Sequence, residues 1–224
     1  MPSNVSASPI RAVLFDLDGT LADTALDLGQ ALNLLLARDG LPAVEMARIR
    51  PIASHGANGL LKLGFGMGLD HPEHARYRRD YLEMYESCFD CDTVLFDGIN
   101  AVLITLQARG LPWGIITNKP QRFTDRLVPK LGFAVPPRVV VSGDTTDEPK
   151  PSVKPMLHAT AALNIAPENC LYIGDAERDM QAGRDAGMRT VLVRWGYIAD
   201  DDDTESWAYD MAIDKPSEIL DCLG

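Results

Sequence analysis

The stretch Arg11-Ala-Val-Leu-Phe-Asp16-Leu-Asp18-Gly-Thr20-Leu21 decides the fold, because an apolar run ends in two carboxylates two positions apart. Residues i and i+2 of a strand point the same way, and Gly19 lets the chain turn, so Asp16 and Asp18 come together at the strand's carboxyl end. Two clustered carboxylates repel unless a cation lies among them. Mg²⁺ suits such a place, since it takes hard oxygen ligands and bridges carboxylates to phosphate. The plainer reading of Asp-x-Asp-Gly-Thr is an acidic turn at a strand end.

Three further segments share that pattern. Leu171-Tyr-Ile-Gly-Asp175-Ala-Glu-Arg-Asp179 is another apolar strand running through glycine into acids, and Trp113-Gly-Ile-Ile-Thr117-Asn118 ends a third strand in polar residues. Lys150 lies in the loop Glu148-Pro-Lys150-Pro. Thr117-Asn118 can also be read as a helix cap ahead of Lys119-Pro120. The capping and anion-binding readings coexist, because a helix N-terminus favours anions.

The ordered set Asp16-Leu-Asp18-Gly-Thr20, Thr117-Asn118-Lys119-Pro120, Lys150-Pro151 and Gly174-Asp175-Ala-Glu-Arg-Asp179-Met-Gln-Ala-Gly183 resembles the motifs of the haloacid dehalogenase superfamily, phosphoglycolate phosphatase branch. The segments Trp113 to Phe123 and Arg194-Trp-Gly-Tyr-Ile198 are also similar to a subgroup acting on N-acetylmuramic acid 6-phosphate. This resemblance implies a Mg²⁺-dependent phosphomonoester hydrolase, most simply of 2-phosphoglycolate, with N-acetylmuramic acid 6-phosphate as the alternative substrate. Asp16 would be the nucleophile that forms an aspartyl-phosphate, and Asp18 the acid and base. Lys150, Thr117 and Asn118 would hold the phosphoryl group. Asp16, the Asp18 backbone carbonyl and Asp175 would hold the metal, with Asp179 supporting from behind through a water or Lys150. Lys150-Pro-Ser-Val-Lys154-Pro departs from many relatives, which carry another proline where Val153 stands; Lys150, not Lys154, is the expected phosphate partner.

Strand and helix patterns alternate from Asn100 onward, with apolar strands at 113–116, 139–141, 171–173 and 190–193, and the first strand at 12–15. Alternation of this kind implies parallel strands joined by crossover helices. The expected class is α/β, a Rossmann-like three-layer parallel-sheet core. Between Leu21 and Asp97 the strand pattern gives way to helical ones, starting with an Asp23-Thr24 cap and a later amphipathic run over Glu73 to Phe89. The expected division is therefore a core of residues 1–22 and 97–224 with an inserted helical cap of 23–96. By the resemblance this insertion would be a mobile cap with hinges near Ala22-Asp23 and Phe96-Asp97-Gly98. Ser54, His55 and Gly56 read either as a turn between helices or, as the resemblance implies, as cap residues contacting substrate. Gly64-Phe-Gly66-Met-Gly68 reads as a flexible turn, and Asp200 to Asp203 as a solvated loop.

At 224 residues and 46% hydrophobic content the chain can bury a full core. A formal charge of −11 argues against nucleic acid as the main partner; a local basic patch can still serve a small anion, and the resemblance implies a small phosphorylated metabolite as partner. Residues 1–9 lack the pattern of a secretory signal, and no stretch reaches the ~18 apolar residues of a membrane span; the expected setting is the cytoplasm. Cys88-Phe-Asp-Cys91 lacks the second pair of a zinc site, so reduced thiols are expected. The sequence carries no signal of oligomeric state. Two readings compete with the hydrolase: a sugar phosphomutase, whose cap must exclude water, and a non-enzymatic binding module.

Overall fold

The computed structural model describes residues 8–224; Met1 to Ala7, most of the segment read as a loose tail, lie outside them. In chain order come β1 (Ala12–Phe15), β2 (Ala22–Asp23), α1 (Ala25–Arg38), α2 (Met46–Ile49), α3 (Gly56–Phe65), α4 (His74–Cys88) and β3 (Val94–Leu95). There follow α5 (Ile99–Ala108), β4 (Trp113–Ile116), α6 (Gln121–Leu127), β5 (Val139–Val141), α7 (Lys154–Leu163), β6 (Cys170–Gly174), α8 (Glu177–Asp185), β7 (Arg189–Val193) and β8 (Met211–Ile213).

Six strands form one parallel sheet in the order β5-β4-β1-β6-β7-β8. Its central strands are continuous apolar runs because both faces are covered. Val13 and Phe15 of β1 enter a core with α5, while Ala12 and Leu14 enter another with Met156 and Ala159 of α7 and Ala182 of α8. Successive side chains of one strand thus serve opposite layers, giving the expected three-layer α/β class. The short β8 at the sheet edge was not among the expected strands.

The chain leaves β1 towards β4 on one side and later returns to β6 on the other. That reversal opens a crevice beyond the carboxyl end of β1, the usual ligand position in an open parallel sheet. Helices α1 to α4 lie in the chain between β2 and β3, which pair antiparallel through Ala22 with Leu95 and Asp23 with Val94.

Several local expectations are corrected. Thr24 makes no side-chain cap on α1; the Tyr197 hydroxyl accepts from the backbone N–H of Thr24 at 2.6 Å and Ala25 at 3.0 Å. Asp23 of the expected pair does accept from the Ala25 N–H, at 3.4 Å, and a phenol from across the fold takes the role expected of Thr24. Gly64 belongs to α3, and only Gly66, in the left-handed region at φ +69°, ends it. Residues 50–55 form a 3₁₀ turn leading directly into α3, so Ser54 and His55 close that turn and Gly56 opens the helix. All four cysteines are free, and burial pushes Cys88 up to about 11.

Asp27, fully buried on α1, accepts from the Cys91 N–H at 3.2 Å, the Asp92 N–H at 2.9 Å and the Thr93 hydroxyl at 2.6 Å. It fastens the segment that returns the chain from α4 to β3. Asp27→Ala strands these donors, so urea unfolding should show a loss of about 3 kcal/mol. A loss below about 0.5 kcal/mol would show that water serves them equally well.

Candidate active site

Asp16, 3% exposed, follows β1, and its backbone N–H donates to Ile173 O at 2.8 Å, continuing the pairing with β6. Its Oδ1 accepts from the Leu17 N–H at 2.8 Å and lies 2.9 Å from Lys150 Nζ. The fully buried Lys150 ammonium also donates to Asp179 Oδ1 at 2.6 Å, Ile116 O at 2.8 Å and the Tyr172 hydroxyl at 2.9 Å. Lys154 lies exposed, paired with Asp147 and Glu148.

Asp175 ends β6 with no exposed surface. Its Oδ1 accepts from Thr20 Oγ1 at 3.2 Å, and its Oδ2 from Ser54 Oγ at 2.6 Å and the Tyr197 N–H at 2.8 Å. Asp179, in the first turn of α8, accepts at Oδ2 from the Ala176 N–H at 3.1 Å and at Oδ1 from Lys150. One carboxylate oxygen from each of Asp16, Asp175 and Asp179 lies within 4.8 Å of the others. Three buried hard-oxygen donors at that separation fit a divalent cation. Two glycines make room: a Cβ on Gly19, at φ +81°, would stand 2.2 Å from Asp175 Oδ2, and one on Gly196 would stand 2.2 Å from Asp175 Cβ.

Asp18 faces Lys119, whose Nζ donates to Asp18 Oδ1 at 2.9 Å and sits 4.9 Å from the centre of the Tyr85 ring. Burial opposes the Lys119 charge, but Asp18 and Tyr85 together outweigh it and hold the ammonium above its usual range. Thr117 Oγ1 accepts from the Lys119 N–H at 3.1 Å. The Asn118 side chain is spent on Lys150, accepting from its N–H and donating to its carbonyl, both at 2.9 Å. Helix α6 is approached by Asp144, which accepts from the Gln121 N–H at 2.7 Å, so Thr117-Asn118 do not cap it.

Ser54 reaches the carboxylate cluster directly, and its carbonyl accepts from Arg178 at 2.6 Å. His55 and Gly56 line the same cavity, of about 1160 Å³, as Asp16, Asp18 and Thr117. Partial burial and the nearby Arg178 pull His55 below its ordinary value. Lys119, Asn118's grip on Lys150, Tyr197 and Arg178 escaped the sequence reading. The only signals available were Lys119-Pro120 beside Thr117-Asn118 and the Gly196-Tyr197 pair.

A family model described as haloacid dehalogenase-like hydrolase matches residues 13–193. The chain belongs to that family. It is 40% identical over 214 residues, 96% of this chain and 95% of the relative, to an N-acetylmuramic acid 6-phosphate phosphatase of Pseudomonas aeruginosa. It is 39% identical over 209 residues, 93% and 94% of the two chains, to a phosphoglycolate phosphatase of Xanthomonas campestris pv. campestris. A haloacid dehalogenase-like hydrolase of Streptococcus pneumoniae shares the fold, with TM-score 0.80 and 22% identity over 96% of this chain and 99% of that one.

Burial, opposed by Lys150 and assisted by Asp179, raises Asp16 to about 6; burial and the neighbouring Asp16 and Asp179 raise Asp175 to about 7. Unfolded, both titrate near 3.8. Between about pH 4 and 7 the folded chain therefore holds more protons than the unfolded one, and stability falls as pH rises through that window. A divalent cation competes with those protons. Thermal melts should thus show Mg²⁺ raising Tm more at pH 8 than at pH 5, relative to chelator. An equal shift at both pH values would take these carboxylates out of cation binding.

Proposed function

We propose that this chain is a Mg²⁺-dependent phosphatase of a small phosphorylated metabolite in the cytoplasm, working through an aspartyl-phosphate on Asp16. The observation that carries the reading is the buried meeting of Asp16, Asp175 and Asp179 beside the Lys150 ammonium, with Asp16 lining the cavity. Asp16, Asp175 and the backbone of Asp18 would hold the ion, with Asp179 holding Lys150 in place. When bound, Mg²⁺ supplies charge neutralisation for the phosphoryl group.

Asp16, raised only to about 6, is a carboxylate at neutral pH. Its oxygen attacks phosphorus, and the ester P–O bond breaks as Asp18 gives its proton to the departing alkoxide. Asp18 then takes a proton from water, which attacks the aspartyl-phosphate, releasing phosphate and restoring Asp16. Thr117 donates its hydroxyl and Asn118 its backbone N–H to the phosphoryl oxygens, and Lys150 balances the charge that gathers there. Residues 23–96 act as a cap over residues 8–22 and 97–224, where Ser54, His55 and Gly56 contact the leaving portion.

The names of the two relatives offer phosphoglycolate and N-acetylmuramic acid 6-phosphate as substrates, at nearly equal identity. Asp16→Asn is expected to abolish phosphate release from any phosphomonoester while keeping the wild-type circular dichroism spectrum. Asp175→Ala should raise the Mg²⁺ concentration for half-maximal rate at least tenfold. Full activity in chelator, or an active Asp16→Asn protein, would sink the proposal.

His55→Ala is expected to change the ranking of kcat/KM across a panel of esters, because every candidate shares the phosphoryl group and differs only in the leaving portion. A uniform change across the panel would reduce Ser54-His55-Gly56 to a structural turn.

A further inference from the structure

We infer that helix α4 gauges the leaving group, with Arg78 at its far end taking an anionic substituent, so that the preferred substrate is a sugar-sized phosphomonoester bearing a carboxylate. This inference rests on the phosphatase reading above and concerns which ester that site takes.

Arg78, Tyr81, Leu82 and Tyr85 all line the cavity, a spacing that sets them on one face of the helix. The core end of the stripe is fixed. The Tyr85 ring stands 4.9 Å from Phe123 and under Lys119, which holds Asp18. Ion pairs from Glu86 to Arg126 and from Asp90 to Lys130 tie the same end to the core. The opposite end packs away from the sheet, where Tyr77 meets Phe65 at 4.9 Å and donates to Asp39 at 2.5 Å.

Seven residues at about 1.5 Å each place Arg78 about 10 Å along the helix from Tyr85. Helical Cβ atoms also lean towards the N-terminus, which carries the guanidinium still further from the phosphoryl site. In 2-phosphoglycolate a single methylene separates the phosphate ester oxygen from the carboxylate, so that carboxylate ends near Lys119 and Arg178, short of Arg78. A hexose phosphate with an acid on a ring substituent spans the distance. The cavity's size agrees, since pockets of about 300–1,000 Å³ already enclose drug-sized ligands.

Exposed arginines ordinarily need only water. Arg78 and Arg79, like Lys62 and Arg122, stand on the cavity wall without an ion pair among the described residues, and of these only Arg78 shares the helix face of Tyr81 and Tyr85, while nearby Arg76 is taken by Glu73 and Asp80 by Arg38.

The test compares kcat/KM for N-acetylmuramic acid 6-phosphate, N-acetylglucosamine 6-phosphate, which is the same sugar without the acid, 2-phosphoglycolate and p-nitrophenyl phosphate, all with Mg²⁺. Wild-type protein should prefer the acidic sugar over the neutral one and over 2-phosphoglycolate. Arg78→Gln should lower the acidic-to-neutral ratio about tenfold, the size of one charge-assisted contact, mainly through KM, and Arg78→Lys should restore part of it. A ratio unchanged by Arg78→Gln, a wild-type ratio near one, or a preference for 2-phosphoglycolate overturns the inference and leaves the phosphatase reading standing. No hydrolysis of any of the four esters overturns both.

Discussion

The Lys150 ammonium, buried between Asp16 and Asp179, is the interaction on which the site depends. Three carboxylates without solvent repel one another, and a single interior cation holds two of them in place. Leaving such a charge unpaired costs about 3–5 kcal/mol, so each acceptor around Lys150 is held by something else. Asn118 pins the lysine backbone, Tyr172 spans Ile116 and Asp179, and the Ala176 N–H fixes the far oxygen of Asp179. The result ties the ends of β1, β4 and β6 to one point of charge.

Asp175 plays the joining role on the opposite side. Its two oxygens collect a hydroxyl from the turn after β1, a hydroxyl from the helical insertion and an N–H from the loop after β7. Tyr197 extends that joint, since its phenol receives the first amides of α1 and donates to Asp23. The carboxylate cluster and the placement of the helices above it are therefore coupled. A shift of the 3₁₀ turn carrying Ser54 must be felt at Asp175, which couples residues 50–55 to the carboxylate cluster.

What the sequence made legible follows from which contacts are local. Central parallel strands are short apolar runs closed by glycine or a polar residue, so β1, β4, β5, β6 and β7 stand out, as do the acids that follow them. The edge strand β8 is three residues with only Ile213 buried, and offers no such run. Pairings across the fold left no local mark. Lys119 and Asp18 are 101 residues apart, and Asn118 and Lys150 are 32 apart. Asp27 looks like an ordinary acid in the first turn of a helix, although its partners lie more than sixty residues on. The Tyr197 phenol joins Asp23 at the start of α1 because packing against the loop after β7 brings a closer acceptor to the same amides.

Net charge is another property that misleads unless it is resolved in space. The chain carries −11 overall, which by itself argues against a polyanionic partner such as nucleic acid. Yet the cavity wall bears six lysine and arginine side chains against four acids. At physiological ionic strength charges beyond roughly 8 Å are largely screened, so a substrate in the crevice feels this lining far more than the acidic outer surface. The acidic surplus then disfavours a polyanion that must lie along the outer surface, while a small phosphate ester that enters the crevice meets a positive wall. The same distribution that argues against nucleic acid is compatible with a doubly anionic metabolite, because the scale on which charge is averaged differs between the two.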